Sequence, residues 1–296
     1  MKIKLTILAI FVIFLSACQD CNAKKTYNSG HLKRLLKTKK CPKCDLSGAD
    51  LSNVDLAGAD LREAELSAAK LDGANLSNAD LTGAELRWRD DVGDKGKMGI
   101  AEIGDFSCNV TYEATLIGVN LQGAKLTGVD FTGLDLNGAN LARANLERAN
   151  LGGADLRKAN LEQANLRRAD LENARLYDAN LRKANLSNAN LRVSFLYDAD
   201  LREANLEQAN LERANPRGAN FLQANLKEVN LNRANLSNAN FDSAFLDKAK
   251  LTNINLENVT YNKETQWKGA YYSEQTIFPS GFDENIKKQM RLLKKN

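Results

Sequence analysis

The hydrophobic pattern of this chain repeats every five residues. From Leu46 to Leu86, and again from Leu116 to Leu256, each fifth position is apolar; of 38 such positions 34 are Leu, the exceptions being Phe131, Pro216, Phe221 and Phe241. The residue two before is Ala in 30 of the 38, and the residue just before is Asn or Asp in 29. A period of five matches neither a helix nor a strand. Each unit must therefore turn a corner while presenting one large and one small apolar side chain inward. Four corners close a square, giving a coil of about 20 residues, and coils of that size can stack into a solenoid. Backbone pairing between coils at about 4.8 Å makes the whole array roughly 45 Å long. Leu then fills the axis, Ala lines the wall, and Asn or Asp hydrogen-bonds at the corner. Burying each Leu is worth about 1.5 to 3 kcal/mol, and no coil is stable alone because its core exists only between neighbours.

The unit A-(D/N)-L-x-x, as in Ala139 Asn140 Leu141 Ala142 Arg143, resembles the pentapeptide repeat family over about two thirds of the chain. The resemblance implies an all-β fold, a right-handed quadrilateral parallel β-helix. Some cytoplasmic members of that family act on DNA gyrase by imitating duplex DNA, and this sets an alternative function to weigh. B-DNA carries one charge per about 1.7 Å. The repeat region from Asp45 to Thr260 has 24 basic and 32 acidic residues, far too sparse for that imitation.

A 20-residue coil places residues 20 apart in one column. Glu172, Arg192 and Glu212 form an alternating-charge column, as do Glu207, Lys227 and Asp247, each opposite pair being worth roughly 0.2 to 1 kcal/mol. Tyr177 and Tyr197 share a column flanked by Arg157 and Arg217, which reads either as a stabilising ladder or as a partner surface using aromatic and cation–π contacts.

The pattern breaks in residues 87–115. Asp91 and Gly96 fall at inward positions and do not fit, whereas Asp105 Phe106 returns to register, so the stretch reads as an excursion over roughly 87–103 with a degenerate coil behind it. Insertions in solenoids emerge on one face and often bind partners, and Trp88 and Met98 offer apolar contact area there. Pro216, at an inward position, removes one ladder donor. The open ends call for caps. A helix from Asn28, with Leu32, Leu35 and Leu36 on one face, is expected to cover the first coil; the aromatic segment from Tyr261 to Phe282 and a short helix carrying Ile286, Met290 and Leu293 are expected at the other end. That tail is also a candidate for homodimer contacts or for anionic lipid.

The N-terminus has a different logic. Lys2 and Lys4 precede the apolar run Leu5–Leu15, too short to span a bilayer and characteristic of a signal peptide. Leu15 Ser16 Ala17 Cys18 resembles the bacterial lipobox, which implies cleavage after Ala17 and acylation of Cys18, with the chains anchoring the protein in a membrane. Gln19 at the next position implies, by the same resemblance, the outer membrane, with the protein facing the periplasm. The expected organisation is then 1–17 signal peptide, 18–27 tether, 28–44 helical cap with a C-x-x-C pair, 45–86 first repeat block, 87–115 excursion, 116–260 second block and 261–296 C-terminal cap.

Chemistry-bearing candidates are few. Cys41 and Cys44 form the C-x-x-C pair, open to zinc, thiol redox or a disulfide. Zinc lacks a second such pair, and both cysteines fall on inward array positions, so a structural disulfide is expected. A single His, His31, and dispersed Ser give no nucleophile constellation. The net charge of +4, the 43% hydrophobic and the 26% charged content alone would suggest an ordinary globule; the periodicity assigns the Leu, Ala and Asn surplus to a rod. The expected function is a non-catalytic, lipid-anchored envelope scaffold or binding surface, with an unidentified envelope protein as partner and no nucleic acid, metal or cofactor. A gyrase-directed protein and a thiol-redox protein are the alternatives.

Overall fold

A computed structural model describes residues 27–87 and 114–293. These form a four-sided tube in which nearly every rung is a single parallel bridge between residues 20 apart, such as Asn140–Asn160 and Asn160–Asn180. Four columns of rungs make four faces. Face 1 runs through Asp60, Asp80 and Lys125; face 2 through Asn150, Asp170 and Asn190; face 3 through Asp155, Arg175 and Phe195; face 4 through Asn120, Asn140 and Asn160. The Leu and Ala positions are buried throughout, with Leu151, Ala154, Leu156 and Ala159 at 0% exposure.

One unit explains the rest. In Asn160-Leu161-Glu162-Gln163-Ala164, the Asn160 N–H donates to Ala139 O of the preceding coil at 2.9 Å, while Leu161 and Gln163 donate to Asn180 O and Arg182 O of the following coil at 2.7 and 2.9 Å. Ala164 N–H closes the corner on Leu161 O at 3.0 Å. The remaining donor, Glu162 N–H, bonds the Asn160 side-chain Oδ1 at 3.1 Å. All five N–H groups are satisfied, as a part-buried backbone requires. The Asn or Asp therefore sits on the flat rung rather than at the corner, and reaches forward to cap the turn. Asn adds what Asp cannot: its Nδ2 donates to the Oδ1 one coil back, as from Asn140 to Asn120 at 3.1 Å and from Asn180 to Asn160 at 3.1 Å. The second turn residue has positive φ, 59° at Gln163 and 58° at Lys183, a conformation that costs an L-residue roughly 1–2 kcal/mol and is held by the turn and ladder bonds around it.

The two described stretches meet at one corner. Ala114 N–H donates to Leu86 O at 3.1 Å, the bond that an Ala three residues after Leu makes in every regular unit. Beyond it the rung separation becomes 45, as in Lys70–Thr115 and Asn75–Asn120, before returning to 20. The coil bearing Lys70 thus stacks directly on the one bearing Thr115, while the Asp105 Phe106 register read from the sequence lies outside the described residues. Among the described residues, rungs are missing at 85–130 and 115–135, beside this corner, and at 215–235.

The last gap is the work of Pro216. It cannot donate to Asn235 O, and the Asn215 Oδ1 is buried without a partner, yet Gly218 still bonds Ser237 O at 2.8 Å and the turn still closes. One unit on, Phe221 stacks in the core on Phe241 of the next coil at 5.1 Å, 7° from parallel.

Both ends differ from the sequence expectation in detail. Helix α1, Ser29–Thr38, is capped by the Asn28 side chain; it buries Leu35 and partly buries Leu32 in the tube core, but Leu36 is 52% exposed because it lies off that face. His31 Nδ1 accepts the Asp45 N–H at 3.0 Å, tying the helix to the first coil. At the other end the ladder does not stop at Thr260. Strand β1 (Lys250–Leu251) pairs with β2 (Tyr271–Tyr272), which pairs with β3 (Arg291–Leu292). Tyr261, Trp267, Tyr272 and Phe278 take the four inward positions of this extra coil and, with Phe282, form a plug of rings 4.7–5.8 Å apart. The C-terminal helix α2 is confined to Glu284–Gln289, and Leu293, expected on its apolar side, lies beyond β3 and is exposed.

Replacing Pro216 with Leu should restore the donor and the axial side chain, raising stability by about 1–3 kcal/mol. A thermal midpoint for P216L equal to or below that of the parent would contradict this account of the gap.

Candidate binding surface

Most of the wall satisfies itself. Arg167 bonds Glu147 and Arg192 bonds Glu172, each across one coil, at 2.9 and 2.6 Å; Lys248 bonds Glu228 at 3.0 Å. Of the two charge columns read from the sequence, the first forms its Glu172–Arg192 contact, while the Glu207, Lys227 and Asp247 column forms no ion pair among the described residues. Exposed pairs of this kind contribute at most about 1 kcal/mol; they keep the wall unreactive more than they hold it together.

Face 3 is different. Its successive rows read Gly153, Asp155 and Arg157, then Asn173, Arg175 and Tyr177, then Val193, Phe195 and Tyr197, then Arg213, Asn215 and Arg217, stacked at the rung spacing of about 4.8 Å. The Tyr177 ring packs on Phe195 at 5.9 Å, 25° from parallel, and the Arg217 guanidinium lies 5.4 Å from the Tyr197 centroid. Arg157 is turned away onto Asp155, with Nε 2.8 and 2.9 Å from the two carboxylate oxygens. The two tyrosines do share a column, since Asp178 N–H bonds Tyr197 O at 3.0 Å, but the ring partner of Tyr177 is the phenylalanine of the next coil. Phe195 was not among the sequence candidates. Its signal was available: it and Arg175 occupy rung positions where the array puts Asn or Asp. The adjacent Ser194 replaces a wall Ala and returns its hydroxyl to Leu191 O at 2.6 Å. The face offers three aromatic rings bordered by Arg175, Arg213 and Arg217.

The other candidates divide by location. Cys18, Trp88 and Met98 lie outside the described residues. Cys41 and Cys44 are buried and joined by a disulfide, Cα atoms 5.4 Å apart, across the first turn of the first coil. Among the described residues no cluster of side chains could hold a metal ion, and no helix is long and apolar enough to cross a membrane.

Six rung aspartates, Asp50, Asp55, Asp60, Asp80, Asp155 and Asp200, have lowered pKa values. The Arg62 hydrogen bond is the largest influence on Asp60 and lowers its pKa. At Asp155 and Asp200 burial is the largest single influence and opposes ionisation, but hydrogen bonds from Arg157 and Arg202, the backbone donors and the Arg charges outweigh it, so both carboxyls also titrate below their ordinary value.

With the geometry in place, the comparisons with known proteins are decisive about family. The family model for pentapeptide repeats matches residues 44–83, 112–133, 124–163, 154–192, 199–236 and 219–258, more than half of the chain. The chain belongs to the pentapeptide repeat family. Among solved structures, this pentapeptide repeat chain is similar to HetL, a pentapeptide repeat protein involved in heterocyst differentiation regulation from the cyanobacterium Nostoc sp. strain PCC 7120, at 28% identity over 86% of this chain and 98% of that one, TM-score 0.37. It is similar to alr5209, also from Nostoc PCC 7120, at 31% identity over 38% of this chain and 84% of that one, TM-score 0.25. QnrB1, a plasmid-mediated fluoroquinolone resistance protein, shares 15% identity over 60% of this chain and 86% of its own, TM-score 0.28. No curated protein sequence matches the chain.

Two predictions follow from the site chemistry. Alkylation of the denatured, unreduced protein should leave Cys41 and Cys44 unmodified, and labelling of both by mass spectrometry would exclude the bridge. Asp155 and Asp200 have folded pKa values below the unfolded ones, so the stability they add is present above the ordinary carboxylate range near about pH 4 and is lost as pH falls through the lower folded values. The double change Asp155→Asn and Asp200→Asn keeps the Oδ1 acceptor and should flatten the acid side of a midpoint-against-pH curve; an unchanged slope would show that these pairs do not carry it.

Proposed function

We propose that this pentapeptide repeat protein is a rigid, non-catalytic rod, exported and acylated at Cys18, held at the periplasmic face of the outer membrane, and used as a binding surface for an envelope protein. The observation that carries the reading is face 3. On a wall whose charges pair across coils and whose amides bond one another, one patch replaces rung Asn with Arg175 and Phe195 and gathers Tyr177, Tyr197, Arg213 and Arg217 around them. Aromatic and Arg side chains are the residue types that dominate protein interfaces, and a solenoid wall holds them at fixed spacing without ordering cost.

The leader and lipobox supply the location, and Cys18 the anchor. The excursion with Trp88 and Met98 is a second contact region, and the C-terminal segment a contact for a second copy. Nothing in the site geometry favours the gyrase or thiol-redox alternatives: the repeat region mixes 24 basic with 32 acidic residues, and the cysteines are buried and paired.

The experiment is a crosslinked pull-down from cell envelopes together with metabolic labelling by a lipid probe. The parent should be labelled and should capture a discrete partner. Cys18→Ser should lose the label, and Tyr197→Ala with Phe195→Ala should lose the partner while retaining the label and the fold. Equal labelling of the Cys18→Ser form removes the anchor; capture unaffected by the face 3 changes removes the surface. Excess protein should leave gyrase supercoiling unchanged.

A further inference from the structure

The walls of this tube are flat wherever the five-residue unit is regular, so a concavity requires a break in the repeat. The final coil supplies one. The rung step from Phe245 to Gln266 is 21 residues, and that from Asn255 to Ile277 is 22, so the coil holds six-residue units at two corners. The first extra residue falls in the corner that carries Lys263, and helix α2 and β3 contribute Ile286, Gln289 and Arg291 to the wall beside it. Between them lies a hollow of about 610 Å³ walled by Lys227, Lys248, Lys263, Lys268 and Arg291, with Asp247 the one carboxylate in its lining.

The charge arrangement there departs from the rest of the wall. Lys248 is engaged by Glu228 at 3.0 Å and Lys263 by Glu264 at 3.9 Å, whereas Lys227, Lys268 and Arg291 form no ion pair among the described residues. Arg291 instead lies on the Tyr271 ring, 5.7 Å from its centroid. Gly269, at a turn position with φ of 68°, leaves this part of the lining without a side chain; a Cβ there would lie 3.6 Å from Lys248 Cγ and 3.9 Å from Arg291 Nε. Trp267 lines the same hollow, is 3% exposed, and its enclosed indole Nε1 has no hydrogen-bond partner. Cations crowded into one concavity repel one another, a cost that a bound anion relieves, and Lys and Arg donors around one volume are the usual means of holding phosphoryl oxygens. A volume of this size suits a ligand bearing more than one such group.

From this geometry we infer that the hollow at the C-terminal coil is a binding site for a compact, phosphate-bearing polyanion. The ligand carries its charge either as a free phosphate compound or as a lipid headgroup; the site chemistry is shared, and the source is a matter for experiment. The site is independent of face 3, which lies on another wall.

Trp267 provides the readout. In a Trp88→Phe form of the full chain it is the only tryptophan, so its fluorescence reports the hollow directly. Titration with tripolyphosphate should give a saturable change that weakens as salt is raised. Lys227→Gln with Lys268→Gln should weaken binding by about tenfold or more, while Lys158→Gln, on the distant wall, should leave it unchanged; far-ultraviolet circular dichroism checks that each form is folded. In parallel, vesicles of phosphatidylglycerol and of phosphatidylcholine are tested by cosedimentation. Binding to tripolyphosphate assigns a soluble source. Binding only to the phosphatidylglycerol vesicles, lost in the double variant, assigns a headgroup. Saturation by neither, or binding that the double variant does not reduce, overturns the inference.

Discussion

A chain that turns a right angle every five residues has to find an acceptor for each of five N–H groups, and the solution adopted here fixes three positions of every unit. Three donors go to neighbouring coils, one closes the turn, and the last needs a side-chain oxygen placed just before the axial Leu. That last requirement, more than hydrogen bonding between coils, makes Asn and Asp so frequent at the rung. Each unsatisfied buried donor would cost about 1–3 kcal/mol, and a tube of such units would multiply the loss. The two turn residues remain free to vary, which is why most of the display chemistry of the wall sits on them, and why rung positions that depart from Asn or Asp, Arg175, Phe195 and Phe245 among them, stand out.

The same dependence on neighbours makes the ends the weak points, and they are treated by different means. The first coil has no coil beneath it. Its opening turn is bridged covalently by Cys41 and Cys44 at positions where the array would put Leu and Ala, with Leu35 of the helix closing over them. At the other end the axial Leu gives way to Tyr261, Trp267, Tyr272 and Phe278, whose rings fill the lumen at edge-to-face distances without needing a further coil. Such aromatic pairs add about 0.5–1.5 kcal/mol beyond their buried area.

The tube was legible because its constraint is local: one unit, read once, predicts all regular units, and Leu, Ala and the 20-residue stacking follow. What escaped the sequence lies where that local rule is broken. The last coil was unreadable because six-residue corners hide the period and aromatic residues replace Leu, so a segment that continues the ladder looked like a cap. Helix α2 ended sooner than its apolar residues suggested because Arg291 and Leu292 pair with β2. The Asp105 Phe106 register lies outside the described residues, and a stretch of 25 residues preserves the count whether or not it enters the ladder. Face 3 was half visible, through its tyrosines, but side-chain direction decided that Tyr177 meets Phe195.

The junction at Leu86 and Ala114 has a consequence for how such a rod can change. The two residues meet through the same 3.1 Å bond that would join them had nothing intervened, and the coils above and below stack as if adjacent. With both ends of the intervening segment fixed at one closed corner, the entropic cost of tethering it grows only slowly with its length. A change in that length leaves the register of the coils on either side untouched, so one corner of the rod can accept more or less chain while the architecture is inherited intact.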